Sequence, residues 1–236
     1  MILDNFKLHS AIVQITFDER YELWDRAGAL SRRISDIWPG LSLDSATPQE
    51  QTLRSKSVVV QSSVRSATLT LFGLKLDPGV LTQIEQTFDA WRSDLSLKKL
   101  QRVSCRTKFV RDFTSQRSAN DYVLNFGLTP WPKDRVFDQP TSGRGNAVDV
   151  GFRFEDEVSF AVLRFGTEHL NLEMKAHPEF ETETIKKSIY RAFIDFDRGL
   201  LAPPDASSLR LDEWLKGYLH ILRRDVEKVI PPREIK

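Results

Sequence analysis

Hydrophobic and polar positions alternate along much of this chain, and the period of alternation changes at definite points. Ala11, Val13, Ile15 and Phe17 alternate with Ile12, Gln14 and Thr16, which predicts a strand with one core face. The period then lengthens. Asp18 stands where a helix N-cap belongs, and Trp24, Ala27, Leu30, Ile34 and Ile37 or Trp38 follow at spacings of three and four, one face of a helix. Pro39-Gly40 ends it, and a loop is expected through Pro48. Two runs of β character come next: 51–62, with Leu53 and Val58-Val59-Val60, and 64–72, with Ala67, Leu69 and Leu71 opposed to Ser66, Thr68 and Thr70. Asp77-Pro78 predicts an N-cap followed by proline in the first turn, and Val80, Leu81, Ile84, Phe88, Trp91 and Leu95 form the stripe of a second helix. A strand over 100–113 closes this half. It sets Val103, Cys105, Thr107 and Phe109 on one side and Arg102, Ser104, Arg106 and Lys108 on the other.

The order β-α-β-β-α-β over residues 1–115 is that of the ferredoxin-like, split βαβ arrangement, and predicts an antiparallel sheet with both helices on one face. The second half, 116–236, has a different rhythm. A short helix is expected around Tyr122, Leu124 and Phe126. Three prolines and two glycines between 129 and 146 argue against regular structure there. Val148, Val150, Phe152 and Phe154 then alternate with Asp149, Gly151, Arg153 and Glu155 in the cleanest period of two in the chain. A turn at Glu155-Asp156-Glu157 leads to a returning strand from Val158 to Phe165, and Leu170, Leu172 and Met174 mark another. Residues 186–198 fit either period and are read as a strand. After the linker at Pro203-Pro204, Leu211, Trp214 or Leu215, Tyr218, Leu222 and Val226 give the strongest helix, ended by Pro231-Pro232. The fold class that results is α+β: a ferredoxin-like half followed by an antiparallel meander packed by a long C-terminal helix, the two sharing a sheet or an interface.

Composition narrows the class without naming an activity. At 40% hydrophobic and 28% charged residues, the 236-residue chain can bury a sizeable core. Its net charge of +1 supplies no global field toward nucleic acid or anionic lipid, so electrostatic recognition has to be local. The single cysteine, Cys105, excludes an internal disulfide framework and fits a reducing compartment. The opening residues lack the apolar core of a signal peptide, and no run is long enough to span a bilayer. A cytoplasmic protein without membrane partners is the expectation.

The chemistry-bearing residues resolve into a few clusters. Lys98, Lys99, Arg102, Arg106, Lys108 and Arg111 crowd residues 98–111, opposed only by Asp112, and Arg54 and Lys56 lie in another expected strand of the same sheet. An open basic sheet face can track a phosphate backbone, although the exposed aromatics of RNA-binding sheets are missing. The bland alternative is a row neutralised by carboxylates of the second half. Asp195 and Asp197 share a face if their segment is a strand, and with further oxygen ligands could hold a hard cation such as Mg²⁺; pairing with arginines is the commoner fate of such carboxylates. Of His9, His169, His177 and His220, no two stand at a helical ligand spacing. Cys105 has no positioned histidine and reads as a small core residue. Gly143-Arg144-Gly145 lacks the Lys-Ser/Thr of a phosphate loop and precedes a strand, but Arg144 and Trp131 in that long loop remain candidate partner contacts. No cofactor motif is present. The last helix shows an ordinary solvated face of Lys216, His220, Arg223, Arg224 and Lys228, and any surplus of its apolar stripe would make a dimer contact.

The strand Ala11-Ile12-Val13-Gln14-Ile15-Thr16-Phe17, the helix ending Ile37-Trp38-Pro39, the segment 103–109, Ile194-Asp195-Phe196-Asp197 and Leu211-Asp212-Glu213 together resemble an uncharacterised group of sporadically distributed bacterial proteins of similar length. The chain departs from that pattern where Trp214 or Tyr218 replaces a histidine early in the last helix. The resemblance implies a one-chain α+β fold and no particular activity; by analogy such proteins work beside toxin or defence genes. The function expected from the residues is that of a non-enzymatic binding or interaction protein, with a protein partner or a second copy. Two alternatives stand beside it: a nucleic-acid-binding module using Arg102, Arg106, Lys108, Arg54 and Lys56, and a metal-dependent enzyme with a carboxylate site.

Overall fold

A computed structural model describes residues 2–128, 147–174 and 185–230. Within them a short 3-10 helix (Ile2–Asn5) precedes β1 (Lys7–Thr16) and α1 (Glu22–Ile37). Four strands follow: β2 (Ser42–Thr47), β3 (Glu50–Arg54), β4 (Val58–Ser63) and β5 (Ser66–Phe72). Next come α2 (Pro78–Asp94), β6 (Arg102–Phe113) and α3 (Gln116–Leu124). Three long strands, β7 (Asp149–Glu155), β8 (Ser159–Met174) and β9 (Ile185–Leu200), lead to α4 (Leu211–Val229). All nine strands join one antiparallel sheet in the order β2-β3-β4-β5-β1-β6-β9-β8-β7. The fold is α+β.

The helices sit on one face of this sheet, as their polar anchors show. Ser31 of α1 donates to Gln51 of β3 at 2.8 Å, and the Trp91 indole of α2 donates to Ser62 of β4 at 3.0 Å. Asn120 of α3 accepts from Thr167 of β8 at 2.7 Å. The Tyr218 hydroxyl of α4 donates to the Phe196 carbonyl at 2.8 Å, so its 2.7 Å contact with Thr107 must be donated by the threonine. Gln51, Ser62, Thr107 and Thr167 all lie on the side where Ala11, Val13, Ile15, Val103 and Cys105 are buried. Among the described residues no helix covers the opposite side.

Several expectations are corrected. In α1 the buried stripe begins at Leu23, whereas Trp24 is 56% exposed and rests edge-on against Tyr21. The helix starts at Glu22, with Tyr21 and not Asp18 at its cap, and spacings of three and four admit either residue. The expected loop before Pro48 contains β2, every residue of which is exposed; a strand with no buried face leaves no period to read. The run 51–62 is a hairpin, turned at 55–57 where Ser55 Oγ accepts from the Val58 amide at 3.1 Å. The two strands expected at 158–165 and 170–174 are one, β8, because Gly166 continues the strand instead of breaking it. The ambiguous segment 186–198 lies inside β9, and the Asp77 cap on α2 is present, accepting from the Val80 amide at 3.0 Å. Trp131 and Arg144 lie outside the described residues.

Candidate functional site on the helix-free face

One lateral row of the sheet places the sequence-selected cations. Register carries it from Arg54 through Val59, Thr70 and Ile12 to Arg106, then on through Asp197 and Val162 to Arg153. Arg54 and Arg106 therefore share the helix-free face, but four strand spacings separate them, about 19 Å at the usual 4.8 Å per strand. Arg54 is taken by Asp44 at 2.9 Å on the edge hairpin. Lys56 is exposed in the β3–β4 turn. The cations of β6, by contrast, form one connected group with β8 and β9.

In that group Arg106 and Lys108 each meet a carboxylate, whereas Arg111 of the expected basic row lies on the helix side, over Phe113 and Tyr122. Arg106 grips Asp195 with two hydrogen bonds, 2.9 Å from Nε to Oδ1 and 2.5 Å from Nη2 to Oδ2. Asp195 is buried, and this bond chiefly raises the Arg106 pKa above its ordinary value. Lys108 Nζ lies 2.5 Å from Glu168 Oε2, and Arg191 reaches Asp112 at 2.8 Å and Glu168 at 3.9 Å. Arg164 bonds Asp149 across the β7–β8 pair. The Asp197 pKa is raised too, but by burial, which pushes its carboxyl above the usual range against the pull of Arg102 and Arg106. A bulge in β1 between Leu8 and Ser10 brings His9 toward the group. Desolvation first, then Arg191 and Lys108, lower its pKa.

Two aromatic rings are set into the same face. Phe160 stands opposite Gly199, and Phe193 opposite Gly166. A Cβ on Gly199 would lie 2.4 Å from the Phe160 ring, and one on Gly166 would lie 2.6 Å from the Phe193 ring. Each ring thus lies across a backbone kept bare for it. Each is also capped by a cation of β6, with Arg102 4.5 Å above the Phe160 centroid and Lys108 5.0 Å from that of Phe193.

Chemically this is a lattice of alternating charge. A cation at the Asp195–Asp197 pair would have to displace the Arg106 guanidinium from both oxygens of Asp195. Among the described residues no cluster of three or more His, Cys, Asp or Glu is placed to hold a metal. Cys105 is fully buried behind the sheet, where desolvation drives its thiol pKa well up. Sequence reading found Arg102, Arg106, Lys108, Asp195 and Asp197. It missed Glu168 and the Phe193–Gly166 pair because residues 166–169 fell in an expected connection, and Arg164 and the Phe160–Gly199 pair because their partners lie on other strands. It also missed a cleft of about 930 Å³ beside the middle of α4, walled by Phe6, Phe109 and Leu222 with Lys75 and Arg223 beside them, which joins segments far apart in sequence. No protein-family model matches this chain, and no curated protein matches it. No helix among the described residues is long and apolar enough to cross a membrane.

Proposed function

We propose that this chain is a non-catalytic binding protein whose contact surface is the helix-free face of the sheet, and that its partner is another protein. One observation carries the reading: both signs alternate across the face, with Arg106 and Lys108 of β6 paired to Asp195 of β9 and Glu168 of β8, and Arg191 of β9 paired to Asp112 of β6. A polyphosphate backbone is drawn by an uninterrupted positive field, whereas a protein surface carries both signs and can match such a lattice. The serine and threonine rows of β1 and β5 (Ser10, Thr16, Thr68, Thr70) widen the face with adaptable hydrogen-bonding groups.

The scaffold that presents this face we read as a ferredoxin-like unit, β1-α1-β4-β5-α2-β6, with β2 and β3 inserted after α1 and the meander β7–β9 added on β6. The sheet order β4-β5-β1-β6 supports that reading, and the Tyr218 bonds to Thr107 and Phe196 support α4 as the cover of the seam.

Photo-cross-linking residues placed at Thr70 and Arg164, on the face, and at Arg32, on the outside of α1, test the proposal in native extract. Cross-links to one discrete protein from the first two positions but not the third are expected, together with no oligonucleotide binding at physiological salt. Oligonucleotide binding that falls steeply with salt and is abolished by Arg106→Glu would replace this reading with the nucleic-acid one.

A further inference from the structure

The two ends of the sheet are unlike each other. At one end β2 is short, polar and interrupted by a bulge between Leu43 and Ser45, features that blunt an edge. At the other end β7 pairs with β8 over seven consecutive residues without a bulge or a proline, and among the described residues it has no outer neighbour. Phe154 on this strand is 60% exposed.

The direction of its free backbone groups follows from the ladder. The Thr167 amide donates to the Val148 carbonyl and the Asp156 amide to the Ser159 carbonyl, so the even-numbered residues from 148 to 156 are those bonded to β8. The N–H and C=O groups of Asp149, Gly151, Arg153 and Glu155 therefore point outward. Their side chains share the helix-free face.

We infer that β7 pairs with β7 of a second copy, antiparallel about a two-fold axis at Gly151, joining the two sheets into one. Charge and overlap together favour this register, since an axis at Phe154 would also set Arg153 opposite Glu155 but overlaps only residues 153–155 of the strand. With the axis at Gly151, Asp149 faces Arg153 of the other copy, twice. The outward groups of 149, 151 and 153 then all close ladder bonds, and Phe154 meets the other copy's strand beside Val148. With the axis at Phe152, Asp149 would face Glu155 of the other copy; at Arg153, two arginines would face each other. Both set like charges directly opposite. The chosen register also prolongs the existing run of alternating charge, Arg106–Asp195 and Arg164–Asp149, into Arg153 of the second copy. Helices of both copies fall on one side, leaving a doubled helix-free face.

Reciprocal charge reversal tests both the pairing and the register, read by sedimentation equilibrium on the full chain. Wild type is expected to dimerise. Asp149→Arg alone creates two Arg–Arg pairs and Arg153→Asp alone two Asp–Asp pairs, so each should be monomeric, with a dissociation constant raised at least tenfold. Mixed in equal amounts they should associate with each other, because both pairs are again opposite in sign. Circular dichroism checks the fold of each variant, and slow hydrogen exchange at the Gly151 and Arg153 amides in wild type alone gives a second readout. A wild type that stays monomeric up to millimolar concentration overturns the inference, as does a mixture that fails to associate. Stronger association of Asp149→Arg alone would also overturn it, since that is the behaviour of the Phe152 register.

Discussion

Substituting alanine for Gly199 puts a number on the Phe–Gly pairing. The new Cβ would lie 2.4 and 2.8 Å from two atoms of the Phe160 ring and 2.7 Å from the Val103 carbonyl oxygen. The ring can tilt only against Arg102, stacked 4.5 Å above it. The carbonyl belongs to β6, whose ladder to β9 runs unbroken from Val103 to Phe113. Overpacking of this kind costs about 1–3 kcal/mol, and a rigid backbone contact puts Gly199→Ala near the upper end, about 3 kcal/mol. For a chain of this size that lowers Tm by roughly 6–12 °C. Urea unfolding followed by tryptophan fluorescence measures it, with Gly28→Ala as the control. Gly28 sits exposed in α1 with nothing within 4 Å of a new Cβ, and there alanine should stabilise by about 0.5–1 kcal/mol. In a Phe160→Leu background the Gly199→Ala cost should fall by about 1 kcal/mol, the part owed to the ring, while the part owed to Val103 persists. A neutral Gly199→Ala, or strictly additive effects in the double variant, would refute the account.

Three further outcomes are expected. Tyr218→Phe leaves the Thr107 hydroxyl and the Phe196 carbonyl without their buried partner and should cost about 1–3 kcal/mol by chemical denaturation, with the fold intact by circular dichroism. Asp77→Ala removes the side-chain cap of α2 and should cost about 1 kcal/mol in the same assay. Asp197 has a folded pKa raised by burial, so the folded state binds its proton more tightly than the unfolded chain does; its stabilising effect is complete below the ordinary carboxylate pKa and is lost as pH rises through the folded value. Asp197→Asn should therefore match wild type in acid and gain in Tm over it toward neutral pH; a difference constant with pH would contradict this.

Periodicity revealed the elements that bury one face. β1 and α2 alternate or repeat cleanly because the helix layer takes every second or every third-and-fourth side chain, while β7 is legible from its sequence alternation although none of its residues is fully buried. β2 has no buried residue and could not announce itself. Leu23 and Trp24 are adjacent, and only the late start of α1 decides between them. Gly166 looked like punctuation from its sequence, yet it carries the Phe193 ring from a strand nearly thirty residues on. The cations of β6 were legible as a row, and their neutralisation by carboxylates of the second half as an alternative; which carboxylates was not, since Glu168 and Asp195 arrive through pairings that no local window contains. The cleft beside α4 is hidden for the same reason: its walls come from four segments spread along the chain, around residues 3–8, 73–77, 109 and 219–223.

The position of β9 between β6 and β8 has a consequence for synthesis. β6 is complete at Phe113, but the strand that covers its outer edge begins at Ile185. At about 5–20 residues per second, that gap of roughly 70 residues takes several seconds to be made. Throughout that interval β6 is the rim of the growing sheet, a template for any other extended chain nearby. Arg106 and Lys108 line that rim as unpaired positive charges until Asp195 and Glu168 emerge, and charges so placed discourage a foreign strand from docking. The row that ends as half of an ionic lattice thus begins as a guard on the nascent edge.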